Sequence, residues 1–127
     1  MTRREIKTPE APTPLGAYSQ GIEADGVVYV AGQVGLNPDG TPVGGGIREQ
    51  TERVIDNVAA VLAAAGLSLD DVVKATIHLS DAELFAEFNA TYEPRFAEPR
   101  PVRTTVGSHV PGGMLVEMDV VAHVPGR

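Results

Sequence analysis

Residues 21–35 read GIEADGVVYVAGQVG, two apolar runs that meet across Ala24-Asp25-Gly26. An Asp-Gly pair accepts the positive φ of a two-residue hairpin turn, so this stretch predicts two antiparallel strands. The second of them has no polar side. Val27, Tyr29 and Ala31 alternate with Val28, Val30 and Val34, and a strand that is apolar on both faces expects cover on both.

Outward from the hairpin, NPDGTPVGGG (37–46) is rich in Gly and Pro and reads as a connecting loop. Neither G-x-x-x-x-G-K-[ST] nor G-x-G-x-x-G is present to make it a phosphate loop. As a calcium loop with Gly40 at the turn, it would put Gly35 and Gly46 at the first and last ligand positions, and neither has a side-chain oxygen. From Ile47 the period lengthens. Ile47, Thr51, Val54, Val58, Val61, Leu62 and Ala65 form a stripe at spacings of three and four, with Glu49, Glu52, Arg53 and Asp56 largely opposite. This predicts a long amphipathic helix stopped by Gly66.

VVKATIHLS (72–80) alternates as a half-buried strand, with Val73, Ala75, Ile77 and Leu79 on one face and Lys74, Thr76 and His78 on the other. Ser80 and Glu83 have capping-box spacing, and Leu84, Phe85, Phe88, Tyr92 and Phe96 follow at helical intervals, with an end or kink expected around Tyr92 to Pro94. Residues 101–110 and 114–124 read as two strands joined by Pro111-Gly112-Gly113. In the last, Val116, Met118, Val120, Ala122 and Val124 share a face opposite Leu115, Glu117, Asp119, Val121 and His123. The order is β-β-α-β-α-β-β, an α+β domain over residues 1–127 with two helices on one face of the sheet. The uncovered apolar face predicts a homo-oligomer with its sheets turned inward. The other arrangement has loop 37–46 and the N-terminal arm folded over that face.

Composition narrows the function. The 127 residues carry 10 Lys and Arg against 17 Asp and Glu, a net charge of −7, so no basic field draws nucleic acid or anionic lipid. Cysteine is absent, which removes disulfides, thiolate nucleophiles and zinc knuckles. The start, MTRREIKTPEAPTP, has no following apolar core of a signal peptide, and no run approaches the ~20 residues of a spanning helix. A soluble, cytoplasmic protein is expected.

Arg103, within PRPVRTTV (99–106), offers a permanently charged planar fork suited to a carboxylate, and Glu117 in a partly desolvated pocket is suited to holding and polarising a water. Read alone, Arg103 fits equally an ion pair, with Glu117 itself as one partner. Tyr18 is a pocket residue or an interface aromatic; Asn89 is a pocket residue or a bridge to helix backbone. His78, His109 and His123 stand on separate strands without metal-ligand spacing and read as solvent or sheet-edge histidines. Arg95 and Arg100 read as solvated surface charges. Ser19 lacks a G-x-S-x-G elbow.

GAYSQG, VAGQVGLNPDG, EQTERVIDNVAAVLAAAG, DDVVKATIHLSD, FNATYEPRF, PVRTTVG and VEMDVVA, in this order, resemble the reactive intermediate deaminase (RidA/YjgF) family over nearly the whole chain. The resemblance implies a chorismate-mutase-like fold, a homotrimer whose sheets form a central barrel, and clefts between subunits. It implies hydrolysis of enamines and imines such as 2-aminoacrylate, 2-iminopropanoate and 2-iminobutanoate to 2-keto acids and ammonia, without metal or organic cofactor. Arg103 then matches the carboxylate-holding arginine and Glu117 the acid that manages water. Tyr18 and Asn89 match pocket residues, and the backbone at Gly32 and Thr105 lines the same cleft. Two positions depart from the family pattern: Ala17 stands where proline is common, and Ala31 where serine is common. A non-catalytic module that binds small carboxylates in the same cleft, and an RNA-cleaving inhibitor of translation, are the alternative functions.

Overall fold

The computed structural model describes residues 2–126. Its elements are β1 (Arg4–Ile6), β2 (Gly21–Ala24), β3 (Val27–Val34), α1 (Ile47–Ala64), β4 (Val72–Leu79), α2 (Phe85–Tyr92), β5 (Val102–Gly107) and β6 (Val116–His123). The six strands form one sheet in the order β1-β2-β3-β6-β4-β5, antiparallel throughout except for the parallel β4–β5 pair. The α+β architecture therefore stands, with one strand more than the sequence pattern gave. β1 escaped it because a three-residue strand with a single buried apolar side chain, Ile6, has too few residues to show a period.

The hairpin forms as its turn chemistry dictates, since Asp25 and Gly26 both take positive φ, 53° and 76°. Both helical crossovers lie on one side. α1 leads from β3 to β4 with β6 inserted between them, and α2 joins the parallel neighbours β4 and β5. α1 buries Val54, Ile55, Val58, Val61 and Leu62 against Val28, Val30, Val116, Met118, Val120 and Ala122 of the sheet. It also buries two amides. Gln50 accepts the Leu115 N–H at 2.8 Å, and Asn57 donates to the carbonyls of Leu36 at 2.9 Å and Val34 at 3.3 Å, tying the end of β3 and the residue before β6 to the helix. Gly66, at φ 79°, ends the segment.

Two register shifts alter the expected faces. A break between Val30 and Gln33 puts Gln33, not Val34, on the helix side, and aligns Val34 with Glu117 on the other. A second, between Val72 and Lys74, turns Val73 outward, where it is 49% exposed. The cap of the second helical segment also moves by one residue: Asp81, not Ser80, accepts the Glu83 N–H, at 2.9 Å. Arg95 is not a free surface charge. Its guanidinium bridges Glu52 at 2.5 Å and Asp56 at 2.7 Å, clamping the end of α2 onto α1.

The sheet face opposite the helices stays open. Tyr29, Val102 and Val106 remain exposed there, Val102 at 68%: Arg4–Ile6 of the N-terminal arm pair at the β2 edge, and Leu15, Gly16 and Tyr18 reach only the part of the face beside Glu117. The bulge at Val73 gives a direct check. Ile77→Ala should cost about 2–5 kcal/mol of unfolding free energy in urea titrations, whereas Val73→Ala should cost below ~0.5 kcal/mol; equal losses would show that Val73 faces the core.

Candidate active site

Strand register sorts the candidate residues. Val30, Val120, Ala75 and Arg103 form one cross-strand row, and because Val30, Val120 and Ala75 are buried under the helices, Arg103 points to that side. Val34, Glu117, His78 and Val106 form another row, directed to the open face. Arg103 and Glu117 thus lie on opposite sides of their own sheet.

The Arg103 guanidinium sits over three rings of the second helix: 4.8 Å from the centroid of Tyr92, 5.5 Å from Phe85 and 5.6 Å from Phe88. The spacing of 85, 88 and 92 brings these rings to one helix face, and the small Ala75 beside Arg103 leaves room for the stacked fork. Ring contacts of this kind use no N–H donor; among the described residues no carboxylate lies within ion-pair distance of the guanidinium and no side-chain hydrogen bond engages it, so its donors are open. Arg103 lines a cleft of about 380 Å³ with Asn89, Tyr92, Glu93, Arg100 and Pro101. Tyr92 is 3% exposed and its hydroxyl has no hydrogen-bond partner. Burial pushes this phenol above its ordinary pKa, while Arg103 and then Arg100 pull the other way.

Glu117 belongs to a second groove, of about 450 Å³, lined by Leu15, Gly16, Tyr18, Ala31, Gly32, Val34, Pro111 and Glu117. Here the β3 bulge has a purpose. A Cβ built on Gly32 would run into the Glu117 side chain, reaching its Cδ at 3.0 Å and its Cγ at 3.3 Å, so a larger residue there would push the carboxylate from its place across the bulge. Tyr18 is 51% exposed, and its hydroxyl accepts the Leu15 N–H at 3.2 Å, curling the arm over the groove. Gln20 anchors that arm. Its side-chain oxygen accepts the Thr8 N–H at 2.7 Å, its amide donates to the carbonyls of Thr8, Ala11 and Pro12, and its own carbonyl accepts the Ala31 N–H at 2.9 Å.

Within one chain the candidates therefore fall into two groups: Arg103 with Asn89, and Glu117 with Tyr18 and Gly32. Thr105 is half-buried opposite Ile77 on the helix side and lines neither cavity. Arg103 does not pair with Glu117. Arg100, expected in solvent, lines the Arg103 cleft, with Glu98 at 3.7 Å and Glu93 at 4.0 Å. His78 is not an edge histidine. It lies on the interior strand β4, half-buried, with its Nδ1 3.0 Å from Ser108 Oγ. Of the two departures from the family pattern, Ala31 lines the Glu117 groove and Ala17 lies exposed in the arm. Gln20 and the aromatic shelf under Arg103 are additions from the structure. The spacing of Phe85, Phe88 and Tyr92 is the sequence signal that points to the shelf.

A family model described as endoribonuclease L-PSP matches residues 8–124. A RutC family protein of Pyrococcus abyssi is 44% identical over 125 residues, 97% of this chain and 98% of that one. A conserved Rid family protein of Yersinia pestis superposes with a TM-score of 0.93 at 38% identity, covering 97% of this chain and 100% of the other. The crystal structure of Escherichia coli TdcF with bound serine superposes with a TM-score of 0.89 at 30% identity, covering 94% and 98%.

The contact between Gly32 and Glu117 yields a double-mutant test. Gly32→Ala should lower the melting temperature, and adding Glu117→Ala should restore most of the loss because the colliding atoms are gone. Additive losses would mean that the two residues do not meet.

Proposed function

We propose that this chain, which belongs to the Rid (RidA/YjgF) family, is a hydrolytic deaminase of 2-enamine and 2-imine acids that works between subunits of a homotrimer. The observation that carries this reading is the split itself. Arg103 is stacked, charged and unpaired on one side of the sheet, and Glu117 is seated over Gly32 on the other, so one chain holds two halves of a carboxylate-and-water site. An open sheet face with exposed Tyr29, Val102 and Val106 supports association between copies. The serine bound by E. coli TdcF is a small molecule with a carboxylate, the class of ligand that an Arg103 fork suits.

In this mechanism Arg103 grips the substrate carboxylate in the plane of its fork, with Asn89 beside it. Glu117 of the neighbouring copy accepts a proton as water adds to the C=N carbon. The C–O bond forms and the π pair moves to nitrogen, which takes that proton to give the carbinolamine; the hydroxyl proton then passes to nitrogen as well, the C–N bond breaks as the C=O bond forms, and the products are a 2-keto acid and ammonia. An enamine reaches the same path once its carbon is protonated to give the imine. The electrophile is already in the substrate, so the protein contributes orientation, a polarised water and a proton acceptor, without metal or organic cofactor. A non-catalytic carboxylate-binding module uses the Arg103 half equally well. The RNA-cleaving reading that the family description raises has no support in a net charge of −7.

Mixed oligomers test the shared site. Arg103→Ala and Glu117→Gln should each abolish imine hydrolysis measured as ammonia or keto-acid release. After co-refolding the two variants in equal amounts, about a quarter of the sites should regain both wild-type groups, and activity should return to that level. No recovery would place both groups in one chain's site; full activity in either single variant would remove that residue from the mechanism.

A further inference from the structure

We infer that Arg100 forms a second anion subsite beside Arg103, and that the substrates of this protein include 2-imino acids bearing a second carboxylate. The inference rests on the deaminase reading for its chemistry and on the cleft for its geometry. Two residues, Pro101 and Val102, separate Arg100 from Arg103, which puts at most roughly 10 Å between their Cα atoms, and both residues line the same 380 Å³ cleft. One guanidinium is enough to hold one carboxylate in a fork.

The state of Arg100 differs from that of the structural arginine in the preceding turn. Arg95 is locked to Glu52 and Asp56 at 2.5 and 2.7 Å, whereas Arg100 lies 3.7 Å from Glu98 and 4.0 Å from Glu93, beyond the ~2.7–2.9 Å of a charge-assisted hydrogen bond. Both acids are well exposed, so neither holds Arg100 firmly. Tyr92 contributes to the wall of the cleft, and its hydroxyl is buried without a partner, so the polar groups that face a ligand there are the two guanidiniums and Asn89. Glu93 lines the cleft as well and competes for the Arg100 fork, which gives the proposal a second, opposite-signed handle.

The test compares an imine monoacid with an imine diacid, each generated in place by an amino-acid oxidase acting on alanine or on aspartate. Ammonia and keto-acid release is followed for the wild-type oligomer, Arg100→Gln and Glu93→Gln. The ratio of kcat/KM for the diacid to that for the monoacid should fall at least ~10-fold in Arg100→Gln and rise in Glu93→Gln. An unchanged ratio in Arg100→Gln, including equal losses on both substrates, overturns the subsite while leaving the deaminase reading in place. Calorimetric binding of pyruvate and oxaloacetate separates the two ideas from the other side. Oxaloacetate binding that weakens in Arg100→Gln, with no imine hydrolysis by wild type, supports the subsite and overturns the deaminase; equal affinity for both keto acids in both proteins overturns the subsite.

Discussion

The insertion of β6 between β3 and β4 governs where every functional group in this molecule can point. Its antiparallel register, Val120 beside Ala75 and Val30, and Glu117 beside His78 and Val34, fixes the parity of the central sheet. Because β5 takes its own register from Ala75, Arg103 must face the helices once Val120 does. Side chains on a pleated strand cannot cross it, so Glu117 must face away. Had the register slipped by one residue, the ion pair that the sequence alone allows between Arg103 and Glu117 would have become possible, neutralising both groups. The fold keeps them apart, and each stays available to a ligand or to another chain.

The aromatic shelf is the energetic counterpart of that separation. A guanidinium without a carboxylate, in a chain of net charge −7, needs its position fixed by something other than an acid. Three rings supply it. Stacking on Tyr92, Phe85 and Phe88 stabilises the cation by about 0.5–2 kcal/mol through the π faces and leaves the in-plane donors free, which an acidic partner would not do. The Arg95 clamp holds the shelf against α1 from outside, so that the two arginines divide the work: one fixes the helix, the other uses it.

Local chemistry was legible in the sequence, and long-range register was not. Asp25-Gly26 announced the hairpin, the three-and-four spacing announced α1, and the alternation from Val116 to Ala122 matched its buried face residue by residue. The failures fall where one extra residue shifts the count. Bulges at Val30–Gln33 and Val72–Lys74 reversed Val34 and Val73, because strict alternation assumes no insertion. Arg95 bonds residues 39 and 43 positions away, a pairing that no periodicity records. For the site, family resemblance named Arg103, Glu117, Tyr18, Asn89, Gly32 and Thr105, but the division of the first five between two cavities, with Thr105 in neither, depends on strand pairing and became visible only with the fold.

The bulge that misled the pattern is also what makes the acidic half of the site. By adding a residue to β3 it brings Gly32 against the Glu117 carboxylate and leaves Ala31 and Val34 lining the same groove. The Ala31 side chain adds no donor there, and the polar wall of the groove rests on Glu117 and Tyr18. Gln20 then carries more weight than its distance from the carboxylate suggests. It fixes residues 8–12 on one side and the Ala31 amide on the other, and so sets how the arm bearing Tyr18 meets the bulge bearing Gly32. A groove with one carboxylate and one phenol at its wall gains its geometry from this buried amide, four side-chain hydrogen bonds deep in the arm, rather than from a network around the acid itself.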